Sequence, residues 1–88
     1  MTSLTDLEYR ILDELYFVSS FPNLLSSVSG EKKSVMDSLQ RLLENELVTQ
    51  IKPDRGTEEK LEVPDFTTIE QSYFVASKKG LLIHNSRN

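Results

Sequence analysis

The sequence predicts an α+β domain: a three-helix core, a two- or three-stranded β element, and a short C-terminal helix. Three observations predict it. Leu7, Ile11, Leu15 and Val18 recur at helical spacing with Leu12 beside them, and Val35, Leu39, Leu42 and Leu43 repeat the pattern later. Leu47-Val48-Thr49-Gln50-Ile51 and Ser72-Tyr73-Phe74-Val75-Ala76 are short runs of strand-forming residues. Pro22, Ser29-Gly30 and Asp54-Arg55-Gly56-Thr57 punctuate the chain between these segments.

Thr5-Asp6-Leu7-Glu8 opens the first helix as a capping box, in which the Thr5 hydroxyl accepts from the Glu8 amide and the Glu8 carboxylate reaches back. Leu4 precedes the cap and can staple onto the first turn, while Asp6 and Glu8 suit the positive end of the helix dipole. The apolar spacing carries this helix over residues 5–19. Pro22 belongs in the first turn of a second helix, 22–28, after Ser20 or Phe21, with Leu24, Leu25 and Val28 on its apolar side. Ser29-Gly30 ends that helix, and Ser29 can cap a third over 30–45. A strand over 47–52 follows directly. The connection 53–71 is long and charged; Lys60-Leu61-Glu62-Val63 alternates like a strand but Pro64 stops it. The return strand covers 72–76, and Ser77 can cap a last helix over 78–84. No repeat or low-complexity segment interrupts this single domain over 1–88.

The charge pattern narrows the function. Net charge is −4, and acids outnumber bases over 5–20, 31–46 and 52–65. Only the C-terminal Lys78, Lys79 and Arg87 make a net-positive segment, so no dense basic patch marks a phosphate-binding surface. Without cysteine there is no disulfide framework or thiolate metal site, and a single histidine, His84, cannot build a multi-histidine site. The longest apolar run, Leu81-Leu82-Ile83, is far short of the roughly 20 residues that span a membrane. MTSLTDLEYR has acids where a signal peptide has bases, so the expectation is a soluble cytoplasmic protein. An enzyme is not expected. The three glycines are isolated, His84 is the sole candidate triad base, and Asp13-Glu14 and Glu58-Glu59 are adjacent pairs on exposed segments. No cofactor or metal is implied.

Two stretches resemble the winged helix-turn-helix superfamily. Leu24 to Val48, LLSSVSGEKKSVMDSLQRLLENELV, looks like its helix-turn-helix running into the first wing strand. Tyr73-Phe74-Val75-Ala76-Ser77-Lys78-Lys79-Gly80-Leu81-Leu82 looks like the return strand and its capped helix. The second is similar to a Tyr-x-Val/Leu-Thr-x-Lys-Gly pattern of bacterial winged-helix regulators, with Ser77 at the capping threonine and Lys79-Gly80 matching. The resemblance covers nearly the whole chain. It implies a DNA-binding, transcription-regulating module, although winged helices also serve as protein-interaction domains.

On that reading, Lys33 and Ser34 would meet phosphate, Arg41 guanine and Gln40 adenine, with Lys52 and Arg55 of the wing touching the backbone or minor groove. Against it, Asp37 stands at the centre of the same helix face and Glu44 lies further along. Lys33, Asp37, Arg41 and Glu44 also fit a plain alternating-sign stripe of intrahelical pairs on a solvated helix. The expected partner is therefore double-stranded DNA or, alternatively, a protein that uses the acidic surface and the long wing. A homodimer would give two half-site contacts, with Tyr9, Tyr16 and Phe17 as spare aromatics for its interface. Phe66 could anchor a partner or fold back on the core, and His84 reads as an exposed or helix-end histidine.

Overall fold

The computed structural model describes residues 4–54, 57–60 and 64–86. It is a mixed α+β domain whose elements, in order, are α1 (Asp6–Glu14), β1 (Ser19–Ser20), α2 (Phe21–Val28), α3 (Lys32–Glu44), β2 (Val48–Asp54) and β3 (Thr57–Lys60). A 3-10 helix (Phe66–Gln71), β4 (Tyr73–Ala76) and α4 (Lys78–Asn85) complete it.

The capping box forms as expected. Glu8 N–H donates to Thr5 Oγ1 at 3.1 Å and Thr5 N–H to Glu8 Oε1 at 2.8 Å. Leu4 packs, partly buried, against the core beside Leu7. The helix does not run to residue 19, however; it stops at Glu14. Strand pairing wins over helix continuation here. The Leu15 carbonyl accepts from Ala76 N–H at 2.8 Å, and Ser19 and Ser20 stand opposite Phe74 and Tyr73 as an antiparallel edge strand. Val18, expected on the buried stripe, is consequently 46% exposed, while Ile11, Leu12 and Leu15 are fully buried.

Ser20 caps α2 by accepting from Asn23 N–H, with Pro22 in the first turn. Ser29 does not cap α3. It takes left-handed dihedrals (φ 52°, ψ 36°) and terminates α2, and α3 begins after Glu31, whose side chain makes no capping bond. Val35, Leu39, Leu42 and Leu43 then bury their side chains in the core, with α3 packed against α1 and β2, as their spacing predicts.

A sharp corner follows α3. Glu46 N–H donates to the Leu43 carbonyl and Leu47 N–H to the Leu42 carbonyl at 2.8 Å, a paired closure that needs a left-handed residue between helix and strand. Glu46 fills it with φ 62°.

The sheet is antiparallel, in the order β1-β4-β2-β3. Register pairs Val48 with Ala76 and Gln50 with Phe74, and all four side chains lie in the helix-facing layer; Thr49, Ile51, Tyr73 and Val75 face the other way. The connection 53–71 is more ordered than a single loop. It contains β3, paired with β2 from Ile51–Lys60 to Asp54–Thr57, and the 3-10 helix that carries buried Ile69 into the core. Arg55 and Gly56 of the expected turn, and Leu61 to Val63 of the expected alternation, lie outside the described residues.

Ser77 caps α4 as expected, accepting from Gly80 N–H at 3.0 Å, and its hydroxyl donates to the Glu46 carbonyl at 2.7 Å. Ser77 N–H donates to the Leu47 carbonyl at 2.9 Å, so the start of α4 is bolted to the α3–β2 corner. Gly80 permits this approach: a Cβ there would stand 2.0 Å from the Leu47 carbonyl oxygen.

Two substitutions test the corner by chemical denaturation. Gly80→Ala is expected to lose about 1–3 kcal/mol despite alanine's better helix propensity, because backbone must move to admit the methyl group. Glu46→Gly is expected to gain about 0.5–1 kcal/mol, since glycine adopts positive φ without steric cost. Equal stability of both variants and the parent would refute this account of the corner.

Candidate nucleic-acid interface

At about 100° per residue, the face of α3 opposite its buried stripe carries Asp37 and Glu44 at its centre, with Lys33, Ser34, Gln40 and Arg41 at its margins. Lys33, Ser34, Asp37, Arg41 and Glu44 are exposed and Gln40 is half-buried. The structure thus brings four of the expected contact residues onto one helix surface. Lys52 is exposed on β2, where it stands opposite Glu59 in the register. Arg55 lies outside the described residues.

The intrahelical pairs expected from the spacing are not formed: no ion pair links Lys33, Asp37, Arg41 and Glu44 to one another. Arg41 turns instead to another helix. Its Nε lies 3.6 Å from Glu8 Oε2, and the Glu8 side chain is 1% exposed. This carboxylate is held inside by two demands at once, since its other oxygen accepts from Thr5 N–H. Burial makes an unbalanced carboxylate costly, so Arg41 is drawn toward it. A guanidinium expected to fork onto guanine is therefore partly committed to α1.

The base at the start of α3 is committed as well. Lys32 Nζ sits 2.9 Å from Glu70 Oε2 of the 3-10 helix. That helix is fixed by Gln50, a buried polar side chain on the core-facing side of β2. Gln50 Nε2 donates to Ser72 Oγ at 2.8 Å and to the Asp65 carbonyl at 3.0 Å, and Oε1 accepts from Asp65 N–H at 2.9 Å. Ser72 Oγ donates a hydrogen bond to the Thr68 carbonyl at 2.8 Å, which closes the network. Asp65 in turn accepts at Oδ1 from the hydroxyl and amide of Thr67. These bonds hold its carboxyl below the usual carboxylate range, and Lys52 adds a smaller electrostatic pull. Lys52 thus acts on the Asp65 carboxylate of its own domain.

At the C-terminal end, Lys78 and Lys79 are exposed in the first turn of α4. His84, expected to be exposed or at a helix end, lies in the last turn with a mostly covered ring. Tyr16 Oη donates to Asn85 Oδ1 at 2.7 Å and lies 2.8 Å from His84 Nδ1, while Nε2 lies 3.5 Å from Asp13 Oδ1. The cluster fastens α4 to α1. Phe66 stays about two-fifths exposed on the 3-10 helix.

Sequence reasoning missed the Glu8–Arg41 pair, the Lys32–Glu70 pair and the Gln50 network. The first two join residues far apart in the chain, and nothing local signals them. Gln50 had a signal: strand alternation places it on the same side as Val48.

Among the described residues, no group of three His, Asp or Glu side chains could hold a metal ion, and no helix is long and apolar enough to cross a membrane. Comparison with family models, curated proteins and solved structures finds no match to this chain.

The Glu8–Arg41 contact gives a measurable expectation. Arg41→Ala should lower stability by about 1 kcal/mol in urea unfolding, because it leaves a buried carboxylate without its cation. An Arg41 free on the surface would give no change.

Proposed function

We propose that this chain is a winged helix-turn-helix module that works by binding a protein partner, not by reading duplex DNA. The element order supports the fold assignment. A helix leads into a short edge strand, two helices follow, and a β2–β4 pair returns beside that edge strand, giving the sheet order β1-β4-β2 before β3 is added. A capped helix then closes the domain. The resemblance in Leu24–Val48 and Tyr73–Leu82 supports the same assignment.

The observation that carries the functional reading is the acid-centred outer face of α3. Asp37 and Glu44 stand where a reading helix meets base edges and phosphates, and Arg41 is drawn to Glu8. Major-groove edges present mostly acceptors at purines, and phosphates are anionic, so carboxylates there are repelled. A protein surface with basic and amide groups has no such conflict. A cytoplasmic, transcription-associated setting without catalysis belongs to this reading, on the strength of the resemblance alone.

The second reading, a DNA-binding regulator, draws support from exposed Lys33, Ser34 and Lys52 with Gln40 beside them. Titration with random-sequence duplex at about 20–50 mM salt separates the two. The protein-binding reading expects no salt-sensitive binding by the parent, whereas Asp37→Lys with Glu44→Lys gains weak, salt-sensitive affinity. Parent binding that falls steeply with added salt, and is lost in Lys33→Ala with Arg41→Ala, would establish the DNA reading in its place.

A further inference from the structure

The outer edge of the sheet at β1 is short, and exposed apolar residues lead into it without a charged guard. Ser19 and Ser20 pair with β4 on one side only, since β1 is the last strand of the order. Phe17 and Val18, which lead into it, are 83% and 46% exposed. An unpaired strand edge offers backbone donors and acceptors to any other strand, and proteins guard such edges with shortness, charge, proline or a bulge. Phe17-Val18-Ser19-Ser20 has neither charge nor proline, and its paired residues, Ser19 and Ser20, stand opposite Phe74 and Tyr73.

The surrounding chain points to the occupant. Residues 15–30 contain no Asp, Glu, Lys, Arg or His, in a chain where 27% of residues are charged. The exposed members of this stretch are aromatic, aliphatic or small and neutral: Tyr16, Phe17, Val18, Pro22, Asn23, Ser26, Ser27 and Ser29. Depletion of charge together with an exposed aromatic is the composition of an interface centre. Each copy carries −4, so two copies approach with least repulsion through a neutral belt. A strand edge is also self-complementary, because a twofold axis sets it antiparallel to itself.

We propose that two copies of this chain associate edge to edge through β1. The Phe17 side chain of each lies against the Ser19–Ser20 segment of the other. The two sheets become one continuous sheet in the order β3-β2-β4-β1-β1-β4-β2-β3. The interface uses none of the α3 surface, so it holds whichever partner α3 binds.

Sedimentation of the full chain from about 5 to 500 µM tests this, spanning the affinities expected of a small interface. The mass should rise from one chain to two. Phe17→Lys should weaken the association at least about tenfold while keeping the parent's circular dichroism, since truncating or charging an interface centre is costly. Amide hydrogen exchange on the unmodified chain supplies an independent readout, with residues 17–20 slowing as concentration rises. A chain that stays monomeric throughout overturns the proposal. So does a dimer that leaves exchange at 17–20 unchanged, or an edge protected only when an unrelated extended peptide is added.

Discussion

The carbonyl group of Leu47 is the point on which the architecture turns. It accepts from Ser77 N–H, and Gly80 packs against it closely enough to exclude any side chain. Immediately before it, Glu46 takes positive φ so that α3 closes on its own carbonyls and the chain enters β2. One corner therefore sets the direction of β2, the start of α4 and the depth at which α3 lies in the core. Val48, Phe74 and Ala76 fill that core only because β2 and β4 leave the corner in register.

From this frame follows the arrangement of charge. The core draws α1 and α3 together, which brings buried Glu8 within reach of Arg41. The 3-10 helix closes over α2 and the start of α3, which brings Glu70 to Lys32. Arg41, which would have faced outward, is balanced from within the domain, while Lys33 stays exposed at the margin of the face. What α3 then presents at its centre is carboxylate.

Much of the fold was legible because it rests on local chemistry. The Thr5–Glu8 box, the Ser20 and Ser77 caps, Pro22 in a first turn and the stripe of α3 each depend on residues within four positions of one another. Errors arose where a distant segment decided the outcome. Residues 15–20 carry a helical pattern, yet β4 recruits them as an edge. Ser29 has capping chemistry, yet the turn into α3 needs a left-handed residue at that point. The candidate surface was legible as a set of residues on one face, but not as a set of available charges. The availability of Arg41 depends on Glu8, which arrives from another part of the chain.

The Gln50 network constrains length more than identity. Its amide binds the main chain of Asp65 at both donor and acceptor, so it measures where the backbone passes and not which side chain sits there. Between Asp65 and Ser72 the path is fixed at both ends by the same side chain. An inserted residue in that interval has nowhere to go without emptying Ile69 from the core or breaking the register of β4. Variation in chain length is therefore resisted between Asp65 and Ser72, where one side chain holds both ends of the path.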